Sequence, residues 1–104
     1  MKKKKEEEPF DHSKIRLPKE GELFGLVLSE LGGARMLVYC SDGKERICRV
    51  PGRLRTFLWV KEGDVVLVKP WDIQSDERGD IIARYKPLEV AYLKEKGYLK
   101  DLPV

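Results

Sequence analysis

Two glycine turns set close together constrain this chain more than any other feature. Gly32-Gly33 separates a run rich in Leu, Phe and Val (22–30) from a second β-rich run (34–40), and Asp42-Gly43 separates that from a third (45–50). Glycine, paired or after Asp, takes the positive φ that a tight reversal between twisted strands demands. Three short runs joined so tightly predict an antiparallel meander. Gly25, inside the first run, predicts a bulge or sharp bend there.

After Pro51-Gly52 the strict alternation stops, and 54–59 predicts a short helical turn, closed by Glu62-Gly63-Asp64. A β-branched strand follows at 65–69 and ends at Pro70. A turn at 76–80 leads to another strand at 81–85. Pro87 before 88–96 and Gly97 after it predict a helix with a glycine C-cap. Its Leu88, Ala91 and Tyr92 share one face, with Leu93 nearby, and that face is expected to pack on the domain's own core across one barrel opening. Three meandering strands, a connector and two more strands give the order of an OB-fold. The expected class is therefore all-β with short helices: a five-stranded OB-fold barrel (19–87), a C-terminal helix and end (88–104), and a flexible, Lys/Glu-rich N-terminal tail (1–18).

At 104 residues the chain has room for one domain and one modest core. Charged residues make up 38%, dominated by Lys and Glu, a surface similar to that of heat-adapted proteins. Lys2 to Lys5 are followed by Glu6, Glu7 and Glu8 where an export signal needs apolar residues, so a cytoplasmic, membrane-free protein with reduced structural thiols at Cys40 and Cys48 is expected. His12 is the only histidine and lies in the predicted tail, away from Ser29, Ser41 and Ser75, which gives a hydrolase triad no support. Asp72, Gln74, Asp76 and Asp80 resemble a calcium loop only superficially, since the glycine is misplaced and no closing Glu follows. Neither metal nor cofactor is expected, and the chain reads as a non-enzyme.

Positive charge is concentrated in one place. The stretch 44–61 carries Lys44, Arg46, Arg49, Arg53, Arg55 and Lys61 against the single acid Glu45, a local +5 in a chain whose total is +3. A bent, one-signed stretch of this kind suits a nucleic-acid backbone, because guanidinium forks pair bidentately with phosphate oxygens. If Leu54 is the buried anchor, Arg53 and Arg55 point outward. Tyr39, Phe57, Trp59, Trp71 and Tyr85 are the aromatics able to stack bases if exposed; most are expected to fill the core, Trp59 among them, with Trp71 the better candidate for exposure.

Arg-Ile-Cys-Arg-Val-Pro-Gly-Arg-Leu-Arg at 46–55, then Phe-Leu-Trp-Val at 57–60, resemble the translation initiation factor 1A family, the archaeal and eukaryotic relatives of bacterial initiation factor 1. The likeness extends through Gly63-Asp64-Val65-Val66, Trp71-Asp72-Ile73-Gln74 and 80–85 to the closing segment 93–102. It implies a monomeric, RNA-binding factor that occupies the aminoacyl (A) site of the small ribosomal subunit and helps assemble the initiator-tRNA complex with other initiation factors. The resemblance places Gly52, Arg53, Leu54 and Arg55 on the family's rRNA-contacting element, with Arg46 and Arg49 on the preceding strand, and the full RNA-contacting set expected is Arg46, Arg49, Gly52, Arg53, Arg55, Lys61, Trp71 and Arg84. Thr56 and Phe57 depart from the further bases of many relatives. The short end at Val104, without the acidic tail of eukaryotic members, is similar to the archaeal branch. The competing readings are a general single-stranded RNA-binding OB domain (an RNA chaperone) and a protein-interaction barrel, which leaves the +5 stretch without a use.

Overall fold

A computed structural model describes residues 12–104. Five strands, β1 (Leu23–Gly32), β2 (Arg35–Cys40), β3 (Glu45–Arg49), β4 (Val65–Pro70) and β5 (Arg78–Arg84), close into a barrel in the order β1-β2-β3-β5-β4. The meander is present, and Gly32, Gly33 and Gly43 all take positive φ at its turns. One pairing is parallel: β5 lies beside β3 with Arg49 opposite Asp80, and this seam closes the barrel. The last strand begins at Arg78, three residues before the predicted 81, so the preceding turn lies earlier, near Gln74.

Gly25 has a different role from the one its position suggested. The register shifts of β1 fall later, between Val27 and Ser29 and between Glu30 and Gly32. Gly25 pairs with Cys40 on one side and Val66 on the other, and a Cβ there would lie 2.5 Å from Val38 Cγ1. Close packing against the barrel interior therefore excludes any side chain at this point.

Two apolar layers hold the structure. Inside the barrel are Val27, Met36, Val38, Cys40, Cys48, Val50, Val66, Val68 and Ile81. Outside it a second cluster joins Phe24, Val65, Leu67 and Tyr85 of the wall to Leu93, Leu99 and Leu102 of the C-terminal segment. Residues 65–68 of β4 belong alternately to the two layers and are buried on both faces, which is why their sequence shows no alternation. Cys40 and Cys48 are free and fully buried, and burial pushes the Cys48 thiol up to about 12, so it stays protonated and inert.

The C-terminal helix α1 (Pro87–Glu95) starts one residue earlier than predicted, and the backbone N–H of Lys86 donates to Glu89 Oε1 at 2.7 Å. Gly97 follows with the left-handed φ of a C-cap. Its packed side matches the predicted one only at Tyr92 and Leu93. Leu88 is 66% exposed and Ala91 is exposed, while Leu93 is buried with Val90 and Tyr92 beside it. The helix covers the barrel wall rather than an opening. One opening is instead capped by the connector, whose Leu54, Leu58 and Val60 pack against the interior cluster.

The packed region also begins before residue 19. Ile15 is buried in the outer cluster, and the Tyr85 hydroxyl donates to the Arg16 carbonyl. The predicted tail is thus docked from Ile15 onward, His12–Lys14 before it form a short 3-10 turn, and residues 1–11 lie outside the described residues.

Candidate nucleic-acid interface

The connector builds the basic corner. Pro51 leads into a short 3-10 turn, Gly52–Leu54, continued by bonds from the Arg55 N–H to the Gly52 carbonyl and from the Leu58 N–H to the Leu54 carbonyl. Leu54 packs inward, so Arg53 and Arg55 on either side of it are exposed, as is Gly52. Arg55 Nε donates to the Val50 carbonyl at 2.9 Å, which fixes the guanidinium against the end of β3. Arg53 has no hydrogen-bond or ion-pair partner among the described residues. The corner thus presents two solvated guanidinium groups on a backbone anchored from below.

Further along the connector, Leu58 and Val60 turn inward, which sends Phe57 and Trp59 outward at 65% and 78% exposure. Trp59 was expected in the core; the inward parity of its neighbours puts it in solvent. It is an open stacking surface on the same connector as Arg53 and Arg55. Trp71 behaves in the opposite way. It is half-buried, its Nε1 donates to Asp80 Oδ1 at 2.9 Å, and the Arg49 guanidinium lies 5.2 Å from its ring centroid, so it is not a free platform.

Arg46 does not belong to the interface. It shares strand parity with Cys48 and therefore points into the barrel, where it is 3% exposed. There Nε donates to the Ser75 carbonyl at 2.6 Å, and the two terminal nitrogens reach both Asp42 carboxylate oxygens at 3.0 and 2.9 Å. Its donors are spent closing the barrel end opposite the connector. The paired Arg46 guanidinium holds the Asp42 carboxyl below its ordinary value. The stability from this pair is therefore present above the usual carboxylate range and lost as pH falls through the depressed value. Asp42→Ala is expected to cost about 2–3 kcal/mol, because it leaves a buried guanidinium with only the Ser75 carbonyl and a distant Asp76. A thermal melt at neutral pH measures it, and an unchanged melting temperature counts against a stabilising role for the Arg46–Asp42 pair.

Lys61 and Arg84 gather elsewhere. Asp64 accepts from the Lys61 backbone N–H (2.9 Å), Lys61 Nζ (3.4 Å) and Arg84 Nε (3.0 Å), and the group lines a cleft with Val90, Ala91 and Lys94 beside α1. Arg49 stands on the outer face of β3, 53% exposed, directly opposite Arg35 of β2. Sequence reasoning passed over Arg35. The signal was available, since it opens the second run just after the glycine turn and pairs in register with the last base of the third.

Fold and corner together define a small OB-type barrel with a basic, aromatic-flanked edge. A model of the family described as Translation initiation factor 1A / IF-1 matches residues 12–103. Translation initiation factor 1A of Methanopyrus kandleri is 54% identical over 88 residues, covering 85% of this chain and 78% of the relative. The same factor of Archaeoglobus fulgidus is 51% identical over 92 residues, covering 86% and 94%. Among solved structures, the solution structure of translation initiation factor 1 from the Wolbachia endosymbiont of Brugia malayi aligns with a TM-score of 0.50 at 33% identity, covering 64% of this chain and 78% of that one. The chain belongs to the translation initiation factor 1A / IF-1 family, which is not a family of enzymes.

Proposed function

We propose that this protein is a cytoplasmic, monomeric initiation factor that binds the small ribosomal subunit at the aminoacyl site through rRNA phosphates and promotes assembly of the initiator-tRNA complex with other initiation factors. The observation that carries the reading is the outward display of Arg53 and Arg55 on a turn whose Leu54 is seated in the barrel. Such a turn offers charge at fixed positions, and phosphate pairing rewards fixed forks. Family membership supplies the context of initiation.

The exposure of Phe57 and Trp59 favours one other reading, a general single-stranded RNA-binding domain that stacks bases without regard to a ribosome. Cosedimentation separates the two. The proposed factor pellets with purified small subunits and not with large ones, and excess unstructured oligoribonucleotide does not displace it; a chaperone is displaced. Binding is expected to weaken with salt at a log-log slope of about −2 to −3, the value for three phosphate contacts from Arg49, Arg53 and Arg55. A flat salt dependence removes the electrostatic footprint and favours a protein-interaction barrel.

A further inference from the structure

We infer that the outer wall of the barrel carries a second phosphate-binding element, the row Arg35, Arg49, Asp80 and Lys69, in which Asp80 is a positioning residue that sets Arg49 for one phosphodiester. The inference rests on the RNA-binding reading and extends it away from the corner. The row follows from register: Arg35 faces Arg49 across β2 and β3, Arg49 faces Asp80 across the parallel seam, and Asp80 faces Lys69 across β5 and β4. Three bases and one acid thus cross four strands on one surface. Two arginines set directly opposite each other repel, so their pairing stores a cost that an anion laid across them relieves.

Asp80 gives this row its geometry. One oxygen, Oδ1, accepts from Arg49 Nε at 3.0 Å and from Trp71 Nε1 at 2.9 Å. The guanidinium is thereby held by one edge, with the indole ring 5.2 Å from its centre. Its two terminal nitrogens engage no described residue, and the side chain remains half exposed beside a cleft lined by Lys69, Pro70, Trp71 and Asp72. A guanidinium fixed by its Nε edge presents the remaining fork in one orientation, which is the geometry a phosphate takes bidentately. Arg46 is the contrast: all three of its nitrogens are engaged, it is buried, and it has nothing left to offer a ligand.

The sign of one mutation tests the inference. An acid on a polyanion-binding surface repels its ligand, so removing it raises affinity if repulsion is all it contributes. Asp80→Ala is expected instead to lower small-subunit affinity by about tenfold, the loss of one well-placed charged hydrogen-bond contact. Asp80→Asn, which keeps an acceptor oxygen in place, is expected to restore binding. In an Arg49→Ala background, Asp80→Ala is expected to lower affinity no further. Melting curves of each full-length variant show that the folded protein is being compared, and Trp71→Phe, which loses the indole donor but keeps a ring, supplies a milder second probe. Equal or tighter binding by Asp80→Ala overturns the inference, as does a loss that persists without Arg49. If wild type binds small subunits and the corner arginines matter while Asp80 does not, only the wall element is refuted. If wild type does not bind small subunits at all, the underlying reading falls first.

Discussion

Alanine at both Arg53 and Arg55 is expected to lower affinity for the small subunit by well over a hundredfold, since bidentate contacts to phosphate lose about 1.5–3 kcal/mol each when the charged partner goes. Stability should fall little. Both side chains are exposed, and only the single bond from Arg55 Nε to the Val50 carbonyl is lost, at about 1 kcal/mol. Lys19→Ala with Lys100→Ala removes the same charge from exposed positions away from the corner and controls for bulk electrostatics. Subunit titrations beside thermal melts resolve the two effects. A variant that binds like wild type leaves the corner a solvated face, and one that unfolds makes these arginines structural.

Removing 88–104 is expected to unfold the domain or nearly so. The deletion takes away Leu93, Leu99 and Leu102, which are buried, and bares Phe24, Val65 and Leu67 on the wall. Three buried leucines at roughly 2 kcal/mol each come to about 6 kcal/mol, comparable with the whole stability of many small domains at about 5–15 kcal/mol. Because β4 lies between the two apolar layers, the loss also loosens the barrel from outside. Denaturant unfolding of the truncated chain is the measurement, and a midpoint equal to that of the full chain means the segment is not packed on the wall.

The meander and the succession of five strands along the chain were legible because turn chemistry and β-rich runs are local signals. Gly32-Gly33 and Asp42-Gly43 specify reversals whatever lies elsewhere in the chain. The barrel-closing partner of β3 was not legible, since a parallel pairing between distant segments leaves no mark on either. The outward Arg53 and Arg55 followed from reading Leu54 as an anchor. Arg46 was misplaced because net charge was counted without strand parity; alternation with Cys48 already pointed it inward, toward an Asp42 that neutralises it. Trp59 and Trp71 exchanged the expected roles for a similar reason. Hydrophobic neighbours say that a segment packs, but not which of its side chains does so.

The parallel seam has a consequence for how the ring of strands is made. Only three residue pairs join β3 to β5, against six between β1 and β2. Bringing Arg49 to Asp80 closes a loop spanning 31 residues, and the length-dependent part of that closure costs about 3 kcal/mol in chain entropy. The ring is therefore sealed across its shortest ladder, at a point the chain reaches only after most of it has been laid down. Two arginines straddle the join, Arg46 reaching Ser75 and Arg49 reaching Asp80, so side chains fasten the place where backbone bonds are fewest. Charge in this stretch therefore serves, in part, as a clasp on the barrel's own circumference.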